Sequence, residues 1–222
     1  MIKLVEAICS GEKWYPQSVD KYKEAVIING AYHDIACLRS NFAYSMQYIE
    51  YLEKQIEEFK LSEVLSKMTY KSYIINAMSI IEMLFSYIIR STNNWPTSEL
   101  IELKRFKANP KILYKEQVVI ETIIYHKTDK YDKRLDFDSM IKKVETKGLL
   151  SINHDVFPLL KHLRQLRNKV HIQQGDSSTD HDYNNFNSNE LMKTRKVLYD
   201  VLISSELCKI PGIYRFLKVK ID

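Results

Sequence analysis

YIINAMSIIEMLFSYIIR, residues 73–90, is the stretch that decides the fold class of this 222-residue chain. It is apolar on nearly every side of a helix, and its length is close to that of a membrane span. Four polar residues recur along one stripe of that helix, at positions 76, 79, 82 and 86. One of them is Glu82, and a carboxylate at mid-depth in lipid is costly. We therefore interpret the stretch as the buried central helix of a bundle and expect no membrane span.

Helical patterns lie on both sides of this central stretch. Apolar residues recur every three or four positions from about Gly30 to Phe59, which predicts a long amphipathic helix. A short helix is predicted from Asp138 to Gly148, and a later one begins after Asp155, with each aspartate as the N-cap. A last helix is predicted over about 190–205. This order of elements is typical of a mainly all-α protein.

Three segments fall outside the predicted helices. Residues 100–136 contain the β-branched run VVIETIIYH (118–126), which favours a short β-hairpin insertion, with irregular structure as the alternative. Within them YHKTDKYDKR (125–134) mixes aromatic and basic residues, as an RNA-contacting surface or simply an exposed hairpin would. Residues 173–189 are polar and predict a surface loop, and 206–222 a tail docked as an extended piece. We expect one domain over 1–222 with its core at about 30–205.

Composition places the chain in a reducing compartment. The three cysteines, Cys9, Cys37 and Cys208, are odd in number and far apart, so disulfides are not expected. The N-terminal segment has an apolar run that Glu6 interrupts, unlike a secretory signal, and a cytoplasmic location follows. The net charge of +5 permits an acidic partner such as RNA without requiring one.

The segment RQLRNKVHI, residues 164–172, holds the candidate chemistry. At about 100° per residue, Arg164, Arg167 and His171 fall within about 60° of one another on a helix, along one margin of its apolar stripe. Asn168 continues that margin toward solvent. Two guanidinium groups and an imidazole in such a place can hold a phosphate. Basic residues in a last helical turn are also favoured by the helix dipole alone, so an ordinary helix end is the alternative.

The chain resembles the HEPN superfamily of helical domains over about residues 30–205. The segments that carry the resemblance are LLKHLRQLRNKVHI (159–172), INAMSIIEMLFSYII (75–89) and FDSMIKKVETKGLL (137–150). The family motif is an arginine, four to six residues, and then a histidine, often with a polar residue directly after the arginine. Arg164 has six residues before His171, whereas Arg167, which Asn168 follows, has only three.

The resemblance implies a bundle of four to five helices that dimerises so that two motifs face one cleft. It also implies a metal-independent endoribonuclease, of the kind found as toxins and antiphage-defence effectors, which cleaves RNA through attack by the 2′-hydroxyl. His171 would transfer the proton, Arg167 and Arg164 would stabilise the phosphoryl charge, and Asn168 would orient the phosphate or the imidazole. No cofactor or metal is expected.

Two other functions fit the same residues. In one, the domain is a non-catalytic interaction module or RNA-binding regulator whose motif braces a homodimer. In the other, it is the nuclease-like half of a toxin–antitoxin pair that a nucleotidyltransferase-type partner neutralises. A carboxylate inside an apolar helix needs a cationic partner, and in the family fold the motif arginines are nearest to Glu82. We predict that Glu82 pairs with Arg167.

Overall fold

The computed structural model describes residues 3–11, 13–30, 34–113, 116–169 and 181–218. The chain divides into two compact units, a helical unit (1–92 and 137–222) and a β unit (93–136). The described part of the helical unit contains α1 (Leu4–Ser10), α2 (Val19–Ala25), α3 (Ile35–Glu58), α4 (Glu63–Ser91), α5 (Phe137–Lys147), α6 (Val156–Asn168), α7 (Asp182–Asn185) and α8 (Ser188–Leu202), followed by a 3₁₀ helix at Pro211–Leu217. The protein is mainly α-helical, as predicted.

Helix α4 is the centre of the helical unit. It packs against α3, α5, α6, α7 and α8, and most of its apolar residues are fully buried. By length and composition it is the one described helix that could cross a membrane, yet 61% of its most apolar window is buried inside the unit. Burial by neighbouring helices explains the apolar character that the sequence shows on nearly every side.

The polar stripe of α4 faces the less densely packed side of the helix. Asn76, Glu82 and Ser86 are half-buried and Ser79 is exposed. The interpretation of residues 73–90 as a core helix is therefore confirmed. Glu82 itself is only half-buried, because it lies on a side of α4 that its neighbours leave partly open.

Segments on both sides of the predicted core also contribute buried residues. Tyr22 of α2 is fully buried and donates a 2.8 Å hydrogen bond from its hydroxyl to Glu50 of α3. The C-terminal segment forms a β-bridge between Val26 and Cys208 and then the 3₁₀ helix, which buries Tyr214 and Leu217. The predicted extended tail is thus a helical turn in its described part, because docking two large apolar side chains on one side suits a helical spacing better than an extended one.

The β unit is a two-stranded antiparallel ribbon with a smaller hairpin at its tip. Its strands are β1 (Thr97–Lys107), β2 (Lys111–Leu113), β3 (Glu116–Val118) and β4 (Glu121–Asp132), paired as β1 with β4 and β2 with β3. The predicted hairpin is confirmed, although its strands of 11 and 12 residues make it long rather than short. Most of its side chains are exposed.

The predicted polar loop at 173–189 is only partly described. Residues 182–185 form the short helix α7, and Asn187 caps α8 by accepting hydrogen bonds from the N–H groups of Asn189 and Glu190. Lys71 of α4 binds Asp182 at 2.6 Å, which attaches α7 to the central helix. Residues 170–180 lie outside the described part of the chain.

Candidate functional site

Helix α6 carries the Arg-Asn-to-His motif at its C-terminal end. The predicted apolar stripe is confirmed through Leu166: Val156, Leu160, Leu163 and Leu166 are buried and Leu159 is half-buried. Asp155 stands at the N-cap position, but its side chain caps none of the described N–H groups of α6, so the prediction that it caps the helix is wrong. N-cap residues usually have an extended backbone, whereas the backbone of Asp155 is helical (φ −63°, ψ −15°).

Arg167 pairs with Glu82, as predicted. Its Nη2 donates a 2.8 Å hydrogen bond to Oε2 of Glu82, which joins α6 to the polar stripe of α4. Each of the two side chains is 30% exposed. The pair is therefore accessible from solvent. A guanidinium has five N–H donors, and Arg167 uses one of them to bind Glu82.

Arg164 pairs with a different carboxylate, Asp138 of α5. Its Nη2 lies 3.0 Å from Oδ1 of Asp138, whose Oδ2 is 2.6 Å from Nζ of Lys142. Asp138 was predicted to be the N-cap of this helix, but α5 begins at Phe137 and Asp138 is in its first turn. The Nε of Arg164 is buried and has no hydrogen-bond partner among the described residues. Arg164 is thus fixed in place with part of its donor capacity unused.

The two arginines lie on the same side of α6. They are three residues apart, which corresponds to about 60° around the helix and about 4.5 Å along its axis. Their carboxylate partners come from two different helices, α4 and α5, so the packing of three helices sets the position of this arginine pair. Sequence spacing predicted the arginine cluster, and the packing of α6 on α5 supplied Asp138 as the partner of Arg164.

Asn168 and His171 are placed differently from the arginines. Asn168 is exposed and is the last residue of α6, and the N–H of Lys169 closes the helix on the carbonyl of Leu166 at 3.1 Å. His171 lies outside the described residues, together with Val170. The predicted proximity of Arg167 and His171 therefore stays a prediction.

A cleft opens along the same polar stripe of α4, beyond Glu82. It has a volume of about 480 Å³ and is lined by Asp34, Ile35 and Leu38 at the start of α3 and by Met83, Ser86, Tyr87 and Arg90 of α4. Ser86 is one turn beyond Glu82, about 6 Å along the helix axis. The volume is within the range of small-ligand sites, and the walls combine apolar side chains with a few polar groups.

The opposite side of α6 holds a second polar cluster that sequence spacing did not reveal. Nε2 of His162 is 2.7 Å from Oε2 of Glu190 in α8, whose Oε1 accepts a 2.7 Å hydrogen bond from Lys193. His162 and Glu190 border a cleft of about 300 Å³, which Asn184, Asn185 and Asn187 also line. His162 and Glu190 are 28 residues apart on different helices, so only the packing of α6 on α8 brings them together.

The arginine side of α6 has the chemistry of an anion site. Arg164, Arg167 and Lys142 carry three positive charges, and Glu82 and Asp138 carry two negative ones, which leaves the described cluster net positive. A planar guanidinium that holds one carboxylate oxygen still presents N–H groups to a phosphate. Within the described residues, no group of three or more His, Cys, Asp or Glu side chains could hold a metal ion.

The structure describes three of the four site residues predicted from sequence. It places Arg164, Arg167 and Asn168 toward the C-terminal end of α6, whereas His171 lies outside the described residues. Comparison of the chain with protein-family models, with curated proteins and with solved structures finds no match.

Proposed function

We propose that the helical unit is a HEPN-like bundle that acts as a metal-independent endoribonuclease, in the class of toxins and antiphage-defence effectors. The observation that carries the proposal is the pair of arginines on one side of α6, each held by a single carboxylate and partly open to solvent. Side chains positioned in this way lose little conformational entropy when a phosphate binds, which favours an anion site over a random basic helix end.

The reaction follows from the groups in the motif. The 2′-hydroxyl of RNA attacks the adjacent phosphorus, the P–O5′ bond breaks, and the products are a 2′,3′-cyclic phosphate and a 5′-hydroxyl. His171 takes the proton from the 2′-hydroxyl or returns one to the leaving oxygen, since imidazole titrates near neutral pH. Arg167 and Arg164 stabilise the charge that builds up on the phosphoryl oxygens. Asn168 orients the phosphate or the imidazole.

The cleft between α3 and α4 suits the rest of the substrate. It begins one turn along α4 from the carboxylate that holds Arg167, and its apolar walls at Ile35, Leu38 and Met83 can receive a nucleobase next to a bound phosphate. Polar groups of Ser86 and Tyr87 at the same walls can contact a base edge or a ribose hydroxyl. This arrangement supports RNA as the substrate, because sequence-tolerant RNA enzymes bind unpaired bases by contact with their faces.

The proposal includes a cytoplasmic homodimer. In it two copies of α6 meet along the margin of their apolar stripes, so that two motifs share one cleft and the second arginine of each motif can serve the facing copy. A toxin of this kind would be neutralised by a nucleotidyltransferase-type partner encoded nearby. Sedimentation of a monomer at tens of micromolar would contradict the homodimer.

The test is RNA cleavage in EDTA by the purified chain and by single-alanine variants. His171→Ala should reduce the rate by at least about 10²-fold, the range for loss of a positioned proton-transfer group. Arg167→Ala should be comparably damaging, and Arg164→Ala similar or milder, which decides which arginine has the family role. Product ends should be 2′,3′-cyclic phosphates.

Matched controls separate activity from stability. His154 and Arg215 are exposed residues of the same helical unit, the first before the N-terminal end of α6 and the second in the 3₁₀ helix. His154→Ala and Arg215→Ala should keep wild-type rates, and all five variants should keep thermal midpoints within a few degrees of wild type. If the folded wild type cleaves neither tRNA nor total RNA, and expression does not arrest growth, the nuclease proposal fails.

A second candidate is the non-catalytic interaction module, which one specific observation favours. Both motif arginines are already paired with carboxylates of their own chain, so α4, α5 and α6 are joined without any ligand. A module of this kind would show no RNA cleavage, and its self-association would depend on Arg167 but not on His171. Sedimentation of Arg167→Ala beside His171→Ala distinguishes the two functions.

A further inference from the structure

The outer edge of β4 is an exposed strand edge with a stretch of seven residues that contains no extra residue of its own. In the described part of the chain, β1 and β4 form a two-stranded sheet, so β4 has a neighbour on one side only. The ladder between them has two irregularities, one that inserts Leu103 in β1 and one at residues 128–130 of β4. Residues 121–127 of β4 all pair with β1, and the shift at Leu103 falls opposite Ile124 and Tyr125, so the extra residue there belongs to β1 and not to β4. This seven-residue stretch is ETIIYHK.

The sequence of this edge contains few of the features that normally prevent strand association. Proteins protect edges with prolines, bulges, short strands or inward-pointing charges. ETIIYHK has no proline, no bulge and four consecutive residues of high β propensity, Thr122 to Tyr125. Ile124 and Tyr125 are 46% and 48% exposed. Such an edge is a template for another strand.

We propose that this edge pairs with the same edge of a second copy of the chain, antiparallel and centred on Ile124. In that register Glu121 lies opposite Lys127 of the other copy, Ile123 opposite Tyr125, and Thr122 opposite His126, while Ile124 meets its own equivalent. Opposite charges close both ends of the pairing, and apolar residues meet at its centre. Cross-strand pairs of both kinds stabilise antiparallel sheets.

Other registers bring less favourable pairs of charged residues opposite each other. If the two-fold axis moves to residue 125, Glu121 comes opposite Asp129, and if it moves to 127, two copies of Lys127 face each other. An axis at residue 123 places Lys127 opposite Val119, which is outside β4. Only the axis at Ile124 matches the whole regular stretch to itself, and this self-complementarity is what identifies a second copy as the occupant.

The pairing also brings apolar residues of both ribbons together. Ile101, Phe106 and Ile124 lie on one face of the β1–β4 ribbon by register, beside Lys104, and all three are more than 40% exposed. The other face carries the Glu102, Arg105 and Glu121 ion pairs together with Ile123 and Tyr125. A two-stranded ribbon is only marginally stable alone, and added strands stabilise it. The order in the dimer would be β1, β4, β4 and β1.

Disulfide trapping tests the register directly. In an antiparallel pair centred on residue 124, the two Ile124 Cα atoms are about 4.5–5.5 Å apart, within disulfide reach. Two copies of residue 123 are offset by two positions, so their Cα atoms are about 8–9 Å apart, beyond that reach. Under mild oxidation Ile124→Cys should form a covalent dimer, and the matched variant Ile123→Cys should form no more than the wild type does through its own cysteines.

A charge change sharpens the test. Adding Lys127→Glu to Ile124→Cys places Glu opposite Glu121 twice, which should weaken association about tenfold and reduce the cross-linked fraction accordingly. Adding Glu121→Lys as well restores opposite charges between the copies and should recover part of the yield, since it also removes the carboxylate that Arg105 and Lys107 bind within each ribbon. The trapped species is specific to β4, so a dimer formed through the helical unit does not produce it.

Three outcomes would overturn the proposal. They are an Ile124→Cys chain that stays monomeric on reducing-agent-free gels at tens of micromolar, equal cross-linking of the 123 and 124 variants, and an Ile124→Cys yield that Lys127→Glu leaves unchanged. The first outcome would show that a second copy does not bind this edge. The second would mean that β4 associates without a defined register. Circular dichroism of each variant confirms that the chain is folded when the yield is read.

Discussion

Among the arginine–carboxylate pairs that join helices of the helical unit, Arg195–Glu53 and Arg167–Glu82 differ most clearly in burial and in geometry. Arg195 of α8 binds Glu53 of α3 through both Nε and Nη2, with 2.7 Å between Nε and Oε1. Glu53 is only 3% exposed. Arg167 binds Glu82 through Nη2 alone, and both are 30% exposed. Arg195 neutralises a buried carboxylate and joins α8 to α3, whereas Arg167 keeps N–H donors available to a ligand.

This difference shows why sequence spacing alone is a poor guide to a functional arginine. Both residues lie on helices, and both bind glutamate from another helix. What separates them is the side of the core on which the packing leaves them. Three predictions test the contrast, in order of decreasing effect.

The largest effect is expected at Arg195. Arg195→Ala leaves the Glu53 carboxylate buried without its partner, which should lower the free energy of unfolding by about 3–5 kcal/mol. Urea denaturation measures this loss. The double variant Arg195→Met with Glu53→Leu should recover much of it, because replacing a whole buried pair by apolar residues costs far less than breaking it. If Arg195→Ala lowers the free energy of unfolding by less than about 1 kcal/mol, this pair contributes no more to stability than an exposed pair does.

An intermediate effect is expected in the alkaline range, from Tyr73 beside the buried pair. Burial, and next the Glu53 carboxylate, raises the pKa of Tyr73 well above its ordinary value near 10. A phenol whose folded pKa is raised keeps its stabilising contribution below the unfolded pKa and loses it as the pH rises above that value.

Tyr73→Phe should therefore flatten the pH dependence of stability above about pH 10. The decrease in unfolding free energy per pH unit should be smaller than in the wild type by about 1.4 kcal/mol, which is one proton's worth. Urea denaturation at several pH values measures how the free energy of unfolding changes with pH in each protein. The difference in unfolding free energy between the two proteins at pH 7 serves as the reference. Parallel slopes for the two proteins would show that Tyr73 ionises in the folded state too.

The smallest effect is expected for the exposed pair. A double-mutant cycle with Arg167→Ala and Glu82→Ala should give a coupling energy below about 1 kcal/mol, smaller still at high salt, because both side chains are partly solvated. Denaturation at two salt concentrations provides the four stabilities. A coupling energy above about 2 kcal/mol would mean that Arg167 braces the fold as Arg195 does, which favours the interaction module over the nuclease.

Several features of the fold and the site were predictable from sequence. The apolar run at 73–90 with one polar stripe predicted a core helix, and the β-branched run at 118–126 predicted the hairpin. The pairing of Glu82 with Arg167 was also predicted. These succeeded because helical and strand periodicity reflect a single buried face, and because an acidic residue within an apolar helix requires a cation.

Other features could not be predicted because they depend on contacts between distant segments. Local spacing predicts Asp138 as a helix cap, whereas in the fold its oxygens bind Lys142 and Arg164. The burial of Tyr22 and Tyr214 gave no sequence signal, since each lies in a short segment without clear periodicity. The end of α6 at Asn168 was missed because the apolar spacing continues to residue 170.

The sequence by itself determined the helical class, the central position of α4 and the clustering of Arg164 and Arg167, because each follows from residue spacing along a single element. The tertiary structure decided which carboxylates hold those arginines and how far each remains exposed. It also decided that β4 has a strand partner on one side only among the described residues. These are consequences of which helices and strands become neighbours, and burial by neighbours sets the cost of every charge and every unpaired backbone group.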